Sequence, residues 1–348
     1  MADPRSRTEG RALAQRYYPE VVAPLLTARW PGLPHGAGRL GTGSDVLGLD
    51  DEMSRDHDWG LRLTVLVAAE MRDSVHELLC QELPQFFDGL PTRFVFTKQS
   101  EPVLGVDVDT ASIFAKSRLG LDPREEMMGP LDWLTFTGQA VLEVVAGPVF
   151  HDSTGDITDI RNRLAWYPDD VWRYVIASDW ARLSEEMPLM SRAGDRGDDL
   201  GSRVIAARLV DVAMHLGFLL ERQWSPYSKW RWILFAGMPA MESVSRALMA
   251  TLRAETWHER QSCLAAALDE LQNVQGARGL PARPTATVAF FDRPYLQPDG
   301  RVIEDLLGAV SDPSLRERPV GRGSIEQQTD NVAILVDPSA RRAATAVD

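Results

Sequence analysis

A chain of 348 residues, 44% of them apolar, exceeds the size that one hydrophobic core usually organises, so two domains are expected. Its net charge of −13 excludes a general nucleic-acid-binding surface, because such binding rests on Lys and Arg neutralising phosphates. The two cysteines, Cys80 and Cys263, stand far apart with no Cys-x-x-Cys or Cys/His spacing, which excludes a disulfide framework and a zinc site; both read as core fillers.

The start of the chain, Met1-Ala-Asp-Pro-Arg5, lacks the apolar segment of a signal peptide. No run approaches the roughly twenty apolar residues of a membrane span, and a cytoplasmic location without membrane association is expected. Residues 9–29 read as one amphipathic helix, with Leu13, Tyr17, Val21, Leu25 and Leu26 at helical spacing before the Trp30-Pro31 break.

The next stretch, Gly41 to Gly60, is the densest in chemistry. Gly41 and Gly43 allow backbone N–H groups to approach a bound anion, and the Ser44 hydroxyl adds a donor beside them. Asp56-His57-Asp58 follows Ser44 after eleven residues, directly ahead of the apolar run Leu61 to Ala68, which reads as a buried strand. On a strand Asp56 and Asp58 project from one face. Two carboxylates that close repel unless a cation lies between them, and oxygen-only ligands suit Mg²⁺ or Mn²⁺ bound together with phosphates. An acidic loop from Asp50 to Asp58 that merely faces water is the plainer alternative, but it leaves Gly41, Gly43 and Ser44 without a purpose.

Further on, a helix is expected from about Asp73 to Leu83, closed by Pro84, then strands at Arg93 to Thr97 and Val103 to Asp109. In the latter, Val106 and Val108 face one way and Asp107 and Asp109 the other, so Asp107 is the first candidate for a third carboxylate and Asp109 the second. Ile113 to Leu119, Leu131 to Leu134 and Gln139 to Val145 read as helices packed on a sheet. A polar, turn-rich stretch follows, from Gly147-Pro148 to Asp156. Beyond it the periodicity is helical to about Gln275, with helices expected at 156–165, 168–186, 198–222, 238–251 and 255–275.

The fourth region of interest is Glu221 to Trp232, where aromatic residues surround Lys229. Lys229 can serve as a point charge for phosphate, with Tyr227 or Trp230 available to stack on a base; ordinary aromatic packing with Lys229 reaching water is the competing reading. His215, among apolar helix residues, reads as a satisfied core histidine. After Pro281, Ala286 to Phe291 and Asn331 to Val336 read as strands, Val302 to Val310 as a helix, Arg316 to Gln328 as loop and Ser339 to Asp348 as a mobile tail.

The Gly43-Ser44 turn ahead of Asp56-x-Asp58 resembles the signature of the DNA polymerase β-type nucleotidyltransferase superfamily, among its uncharacterised bacterial members, with His57 where that pattern usually has an apolar residue. Glu221 ahead of Lys229-Trp230 is similar, at a longer spacing, to the helical domain of the kanamycin nucleotidyltransferase type, which implies a glutamate base. The resemblance implies an α/β (α+β) fold: a nucleotidyltransferase domain with a small mixed sheet over 1–150, a helical domain over 151–280 and a strand/loop extension over 281–348. It implies Mg²⁺ or Mn²⁺ on Asp56, Asp58 and Asp107, with Gly43 and Ser44 on the phosphates of ATP or another NTP. An NMP group, AMP by the abundance of ATP, would pass to a hydroxyl of a small molecule or protein, releasing pyrophosphate. A protein of the same fold that senses nucleotides or binds a partner without turnover is the alternative.

Overall fold

The computed structural model describes residues 9–55, 58–97, 99–125 and 127–345. The chain forms two compact units, one built from residues up to 127 together with 140–165, the other from 128–139 together with 166 onward. The chain therefore leaves the first unit, returns to it, and leaves again.

The first unit opens on helix α1 (Gly10–Tyr17), which runs through a single π-helical turn, Tyr18–Val22, into α2 (Ala23–Arg29). The sequence predicts one regular helix here. Pro19 cannot donate the backbone bond that a regular helix needs at that point, and the wider turn absorbs the defect. Strand β1 (Gly36–Gly38) follows, then the short α3 (Ser44–Leu47), strand β2 (Leu63–Leu66) and α4 (Ala69–Glu82). Two short two-residue pairings, Phe86–Phe87 with Leu90–Pro91 and Arg93–Phe94 with Val103–Leu104, lead into β3 (Val106–Asp109) and α5 (Ala111–Leu119).

Helix α6 (Pro130–Leu134) belongs to the second unit, and α7 (Gly138–Val145) carries the chain back to β4 (Val149–Asp152) and α8 (Asp156–Arg163). The sheet runs β3-β2-β1-β4: β1 is antiparallel to both β2 and β4, and β2 is parallel to β3. The expected small mixed sheet is present. Residue 150 lies inside β4, so the chain beyond that expected boundary still completes this sheet. The core on the α1, α2 and α4 side joins Leu13, Tyr17 and Leu26 to Leu63, Val65, Val75, Leu79, Val106 and Val108.

Within the second unit, α9 (Asp169–Asp195), α10 (Asp199–Leu220), α11 (Ser228–Ala236), α12 (Glu242–Arg253) and α13 (Trp257–Ala277) make the expected helical region. Two buried indoles are satisfied: Trp172 Nε1 donates to the Leu219 carbonyl at 2.7 Å and Trp180 Nε1 to Gln275 Oε1 at 2.8 Å. His215 Nδ1 lies 2.7 Å from Asp179 Oδ2, as befits a satisfied core histidine. Strands β5 (Thr287–Ala289) and β6 (Leu296–Pro298) form a hairpin, and α14 (Gly300–Gly308) follows.

Three expectations for the C-terminal region are corrected. The stretch expected as loop, Arg316 to Gln328, holds a 3₁₀ turn (Val320–Arg322) and α16 (Ile325–Gln328), which starts at Ser324, and it follows α15 (Pro313–Arg316), capped by Asp312. The strand expected at 331–336 is helix α17 (Val332–Leu335), capped by Asn331. The tail expected to be mobile forms α18 (Pro338–Thr345), where Arg341, 1% exposed, donates from Nε to the Thr135 carbonyl at 3.0 Å and from Nη1 to the Leu335 carbonyl at 2.7 Å. A buried guanidinium paired with carbonyls anchors a segment that has almost no apolar residues. Cys80 is exposed on α4 and Cys263 half-buried on α13, so neither is a fully buried core filler. No helix among the described residues is long and apolar enough to cross a membrane.

Candidate active site

The glycine turn after β1 is clamped from within the protein. Arg39, 1% exposed, donates from Nε to Asp45 Oδ2 at 2.5 Å and from Nη2 to Asp45 Oδ1 at 2.7 Å, a two-pronged pair at the start of α3. The same guanidinium donates to the carbonyls of Leu40 at 2.6 Å and Thr42 at 2.7 Å, so one buried cation fixes the whole of residues 40–45. Gly43 has a φ of +131°, and a Cβ there would lie 2.3 Å from Asp45 Oδ1 and 2.4 Å from Arg39 Nη2. Only glycine fits against this clamp. Gly41 N–H donates to the Glu143 carbonyl at 2.7 Å, so that donor is spent inside the fold, contrary to its expected role toward phosphate.

Two further guanidinium groups border the turn. Arg62 donates from Nη2 to Thr42 Oγ1 at 3.1 Å and from Nη1 to the Asp58 carbonyl at 3.2 Å, and its guanidinium lies 5.4 Å from the Phe96 ring centre. Burial and the neighbouring Arg39 bring its pKa down to about 10, while Asp45, Asp107 and Asp58 hold it up, so it stays charged at neutral pH. Arg118 on α5 pairs from Nε with Glu143 Oε2 at 3.1 Å, and a Cβ on Gly41 would lie 3.3 Å from its Nη2.

Asp107 meets the same cations from the sheet. It sits beside Thr64 in the parallel β2–β3 register, and the alternation expected of this strand is present, with Val106 and Val108 buried and Asp107 exposed. Protein on either side thins its water shell and raises its pKa; Arg62, Arg118 and Arg39 oppose that shift, and Asp109 adds to it. Asp109 is engaged differently: its Oδ1 accepts from Arg72 Nε at 3.2 Å and from the Thr110 N–H at 2.9 Å. Asp107 and Asp109 thus share a face but not a task.

Asp58 does not lie on the strand expected to carry it. Asp56 and His57 lie outside the described residues. Asp58 precedes β2, in a bend with a φ of +54°, and its carboxylate accepts from the Thr97 N–H at 2.7 Å (Oδ1) and from Thr97 Oγ1 at 2.8 Å (Oδ2). The turn through Asp58 and Gly60 starts the strand later than the apolar run suggests, because Arg62 folds back on it. Among the described residues no three His, Cys, Asp or Glu side chains gather to hold a metal ion. The three ligands expected from the sequence, Asp56, Asp58 and Asp107, are all carboxylates, which suit Mg²⁺ or Mn²⁺ in kind.

The second unit holds the remaining candidates. Glu221, at the end of α10, pairs through Oε1 with Arg278 Nη2 at 2.6 Å, which makes it a partnered anion. Tyr227 caps α11 and is 43% exposed, and its backbone N–H donates to Gln139 Oε1 at 3.3 Å. Lys229 is exposed, its Nζ 4.7 Å from the ring centre of Trp230, whose own side chain is buried. Packing accounts for this lysine. Behind it, Trp224 meets Tyr167 at 4.5 Å and Trp166 at 4.8 Å, and lies parallel to Trp133 at 6.4 Å.

Sequence reasoning missed Arg39, Arg62 and Arg118. A signal for Arg62 was present: it is the one charged residue in the otherwise apolar run from Leu61 to Leu66.

Residues 133–231 match a family described as a domain of unknown function (DUF4037). That match covers less than a third of the chain and includes neither the Gly41–Ser44 turn nor Asp107. No curated protein matches the sequence. Among solved structures, a nucleotidyltransferase-like protein from Exiguobacterium sibiricum 255-15 is similar to 76% of this chain over 75% of its own, at 14% identity and a TM-score of 0.34. A likeness that slight bears no weight on function.

Proposed function

We propose that this protein is a metal-dependent nucleotidyltransferase that moves an NMP group, AMP in the first instance, from an NTP to an acceptor hydroxyl. The observation that carries the reading is the convergence of Arg62, Arg118 and the Arg39-clamped Gly41–Gly43 turn on Asp107. Three guanidinium groups beside one carboxylate form a site that favours a polyanion and orients it. Arg62 and Arg118 neutralise the β- and γ-phosphates, and Gly43 and Ser44 face the same oxygens. Asp56, Asp58 and Asp107 would hold Mg²⁺ or Mn²⁺, which supplies neutralisation of charge on the reacting phosphate when bound. For Asp58 to take part, its carboxylate must exchange the two Thr97 hydrogen bonds for the ion.

In the reaction the acceptor oxygen bonds to the α-phosphorus as the bond from that phosphorus to the bridging oxygen breaks. Pyrophosphate leaves with the electron pair, and the hydroxyl proton is released to water. Glu221, held by Arg278, has a structural part in this reading, so the kanamycin-type base is not carried over.

The Asp58–Thr97 bonds favour a second reading, a nucleotide-binding protein without turnover, in which Asp58 is a permanent loop fastener. The two separate on one experiment. The protein is incubated with each α-labelled NTP and Mg²⁺, alone and with cell extract, and pyrophosphate and labelled products are measured. Pyrophosphate release that needs an acceptor is expected; tight nucleotide binding with no release in any mixture overturns transfer and leaves the binding protein.

A further inference from the structure

Strands β5 and β6 carry a tight turn, Phe290-Phe291-Asp292-Arg293, closed by the bond from the Arg293 N–H to the Phe290 carbonyl at 3.2 Å. Phe291 takes its first corner with a φ of +56°. Hairpin turns with that backbone are dominated by Gly, Asn and Asp, because a bulky L side chain there crowds the following carbonyl. At 78% exposure, Phe291 offsets little of that strain by packing. Asp292 and Arg293 beside it are exposed, and among the described residues neither has an ion-pair partner.

The turn is held out stiffly. Behind it the buried Tyr295 donates from its hydroxyl to Asp195 Oδ2 at 2.7 Å and packs on Trp257 at 5.8 Å, and Gln261 Oε1 accepts from the Leu296 N–H at 2.9 Å. A strained aromatic tip on a rigid base suits a docking element, since little ordering remains to be lost on contact.

The same unit contains a place for such a tip. A cleft of about 730 Å³ between α11, α12 and α13 is lined by Trp232, Met249 and Ala250, with the exposed Arg253 and Glu255 among its walls. Arg253 has no carboxylate partner among the described residues, and Glu255 pairs loosely with Arg203 at 3.5 Å. Ser245, also in the lining, has a buried hydroxyl without a hydrogen-bond partner. Trp257 and Gln261, which hold the hairpin, stand about 200° around α13 from Glu259 and Cys263, which face the cleft. Tip and cleft of one molecule therefore lie on opposite sides of that helix.

We infer that the Phe290-Phe291 tip docks into this cleft of a second copy of the chain. The rings fill the apolar part, Asp292 meets Arg253, and Arg293 meets Glu255, so each charge of the tip finds its opposite in the cleft. Such a contact is heterologous: each copy gives a tip and receives one, which builds a head-to-tail chain or a closed ring. Two aromatic side chains bury roughly 150–250 Å² each, well below a standard interface, so the assembly is weak and concentration-dependent. It is independent of nucleotidyl transfer.

Sedimentation equilibrium of the full chain from about 10 to 500 µM, the span of weak contacts, reads the assembly. The wild-type mass should rise above the monomer across that range. Phe291→Gly removes the ring and relieves the turn, so it should stay monomeric and melt no lower than the wild type. Ala250→Glu, at an exposed helix position, puts a charge into the apolar lining and should also stay monomeric. Mixed in equal amounts, the two variants should pair and stop at a dimer, because the first keeps a cleft and the second a tip. A wild type that is monomeric throughout overturns self-docking and leaves the tip to a different protein. Association that survives Phe291→Gly, or a mixture that stays monomeric, overturns the contact of tip and cleft. A lower melting temperature for Phe291→Gly places the ring in the fold and overturns it likewise. Should Ala250→Glu fail to fold, fluorescently labelled wild type in excess Phe291→Gly keeps the test decisive. That variant accepts tips and offers none, so the label should pass into dimers, and labelled assemblies indifferent to it overturn the contact.

Discussion

Two aspartates, one in each unit, are handled in opposite ways. In the helical unit Asp179, 1% exposed, spends both oxygens: Oδ2 on His215 Nδ1 at 2.7 Å and Oδ1 on Gln327 Nε2 at 2.6 Å. In the sheet unit Asp107 has cations near it, yet its surroundings still raise its pKa. A carboxylate whose oxygens are all bonded holds a fold together; one whose charge its surroundings disfavour is a candidate for a ligand site.

The comparison breaks most forcefully at Asp179. Asp179→Ala takes the carboxylate from His215 Nδ1 and one of two acceptors from Gln327 Nε2 in the interior, and should cost about 3–5 kcal/mol, read from chemical denaturation. A loss below 1 kcal/mol would mean that the pair is not structural. Asp107→Asn sharpens the other side. Transfer should fall about a hundredfold, the scale of one lost electrostatic contact in the transition state. The melting temperature should rise at neutral pH, since the substitution removes a carboxylate whose ionised form the fold disfavours. A carboxyl with a raised folded-state pKa costs stability above that pKa, so the gain should shrink as the pH is lowered through it. A melting temperature that drops instead would mark Asp107 as a structural anion.

His215 gives a smaller effect with its own sign. Burial lowers its pKa, but Asp179, by charge and hydrogen bond, and Glu326 outweigh that and the opposing Arg231, for a net rise. A histidine with a raised folded-state pKa stabilises fully below the ordinary value of about 6.5 and loses that contribution as pH rises through the folded value. The stability difference between the wild type and His215→Gln, measured by denaturation across pH, should therefore decline on the alkaline side. The smallest effect is expected of Lys229→Ala, within about 0.5 kcal/mol in stability, because the side chain is exposed and lies over the Trp230 ring at the surface. Nucleotide affinity in that variant should stay within error by calorimetry; a clear loss would return Lys229 to the phosphate role.

Much of the fold was readable because periodicity reports burial. Helices α9, α10, α12 and α13 were expected within a few residues of their N-terminal ends, and the alternation in β3 named Asp107. Strand β1 was not readable: Gly36-Ala37-Gly38 is wholly buried yet has neither alternation nor β-branched residues, because the Ile157 side chain and the Pro148 carbonyl lie where a Cβ on Gly36 and on Gly38 would go. Helix α18 was missed for a related reason, since what buries it is the pairing of Arg341 with carbonyls, which no hydrophobic pattern records. At the site, glycines and carboxylates have recognisable spacings, whereas Arg39, Arg62 and Arg118 come from separate segments and meet only in the fold.

The three crossings of the chain between units have a bearing on how this protein can be divided. A single cut after residue 127 strips β4 and α8 from the sheet, and one after 165 leaves α6 severed from the helices it belongs with. No truncation, natural or engineered, yields either half whole. Exchange with another protein would have to replace two segments at once, so the halves are expected to be inherited as one, and a protease nick within residues 127–129 should leave a two-chain protein that still melts cooperatively.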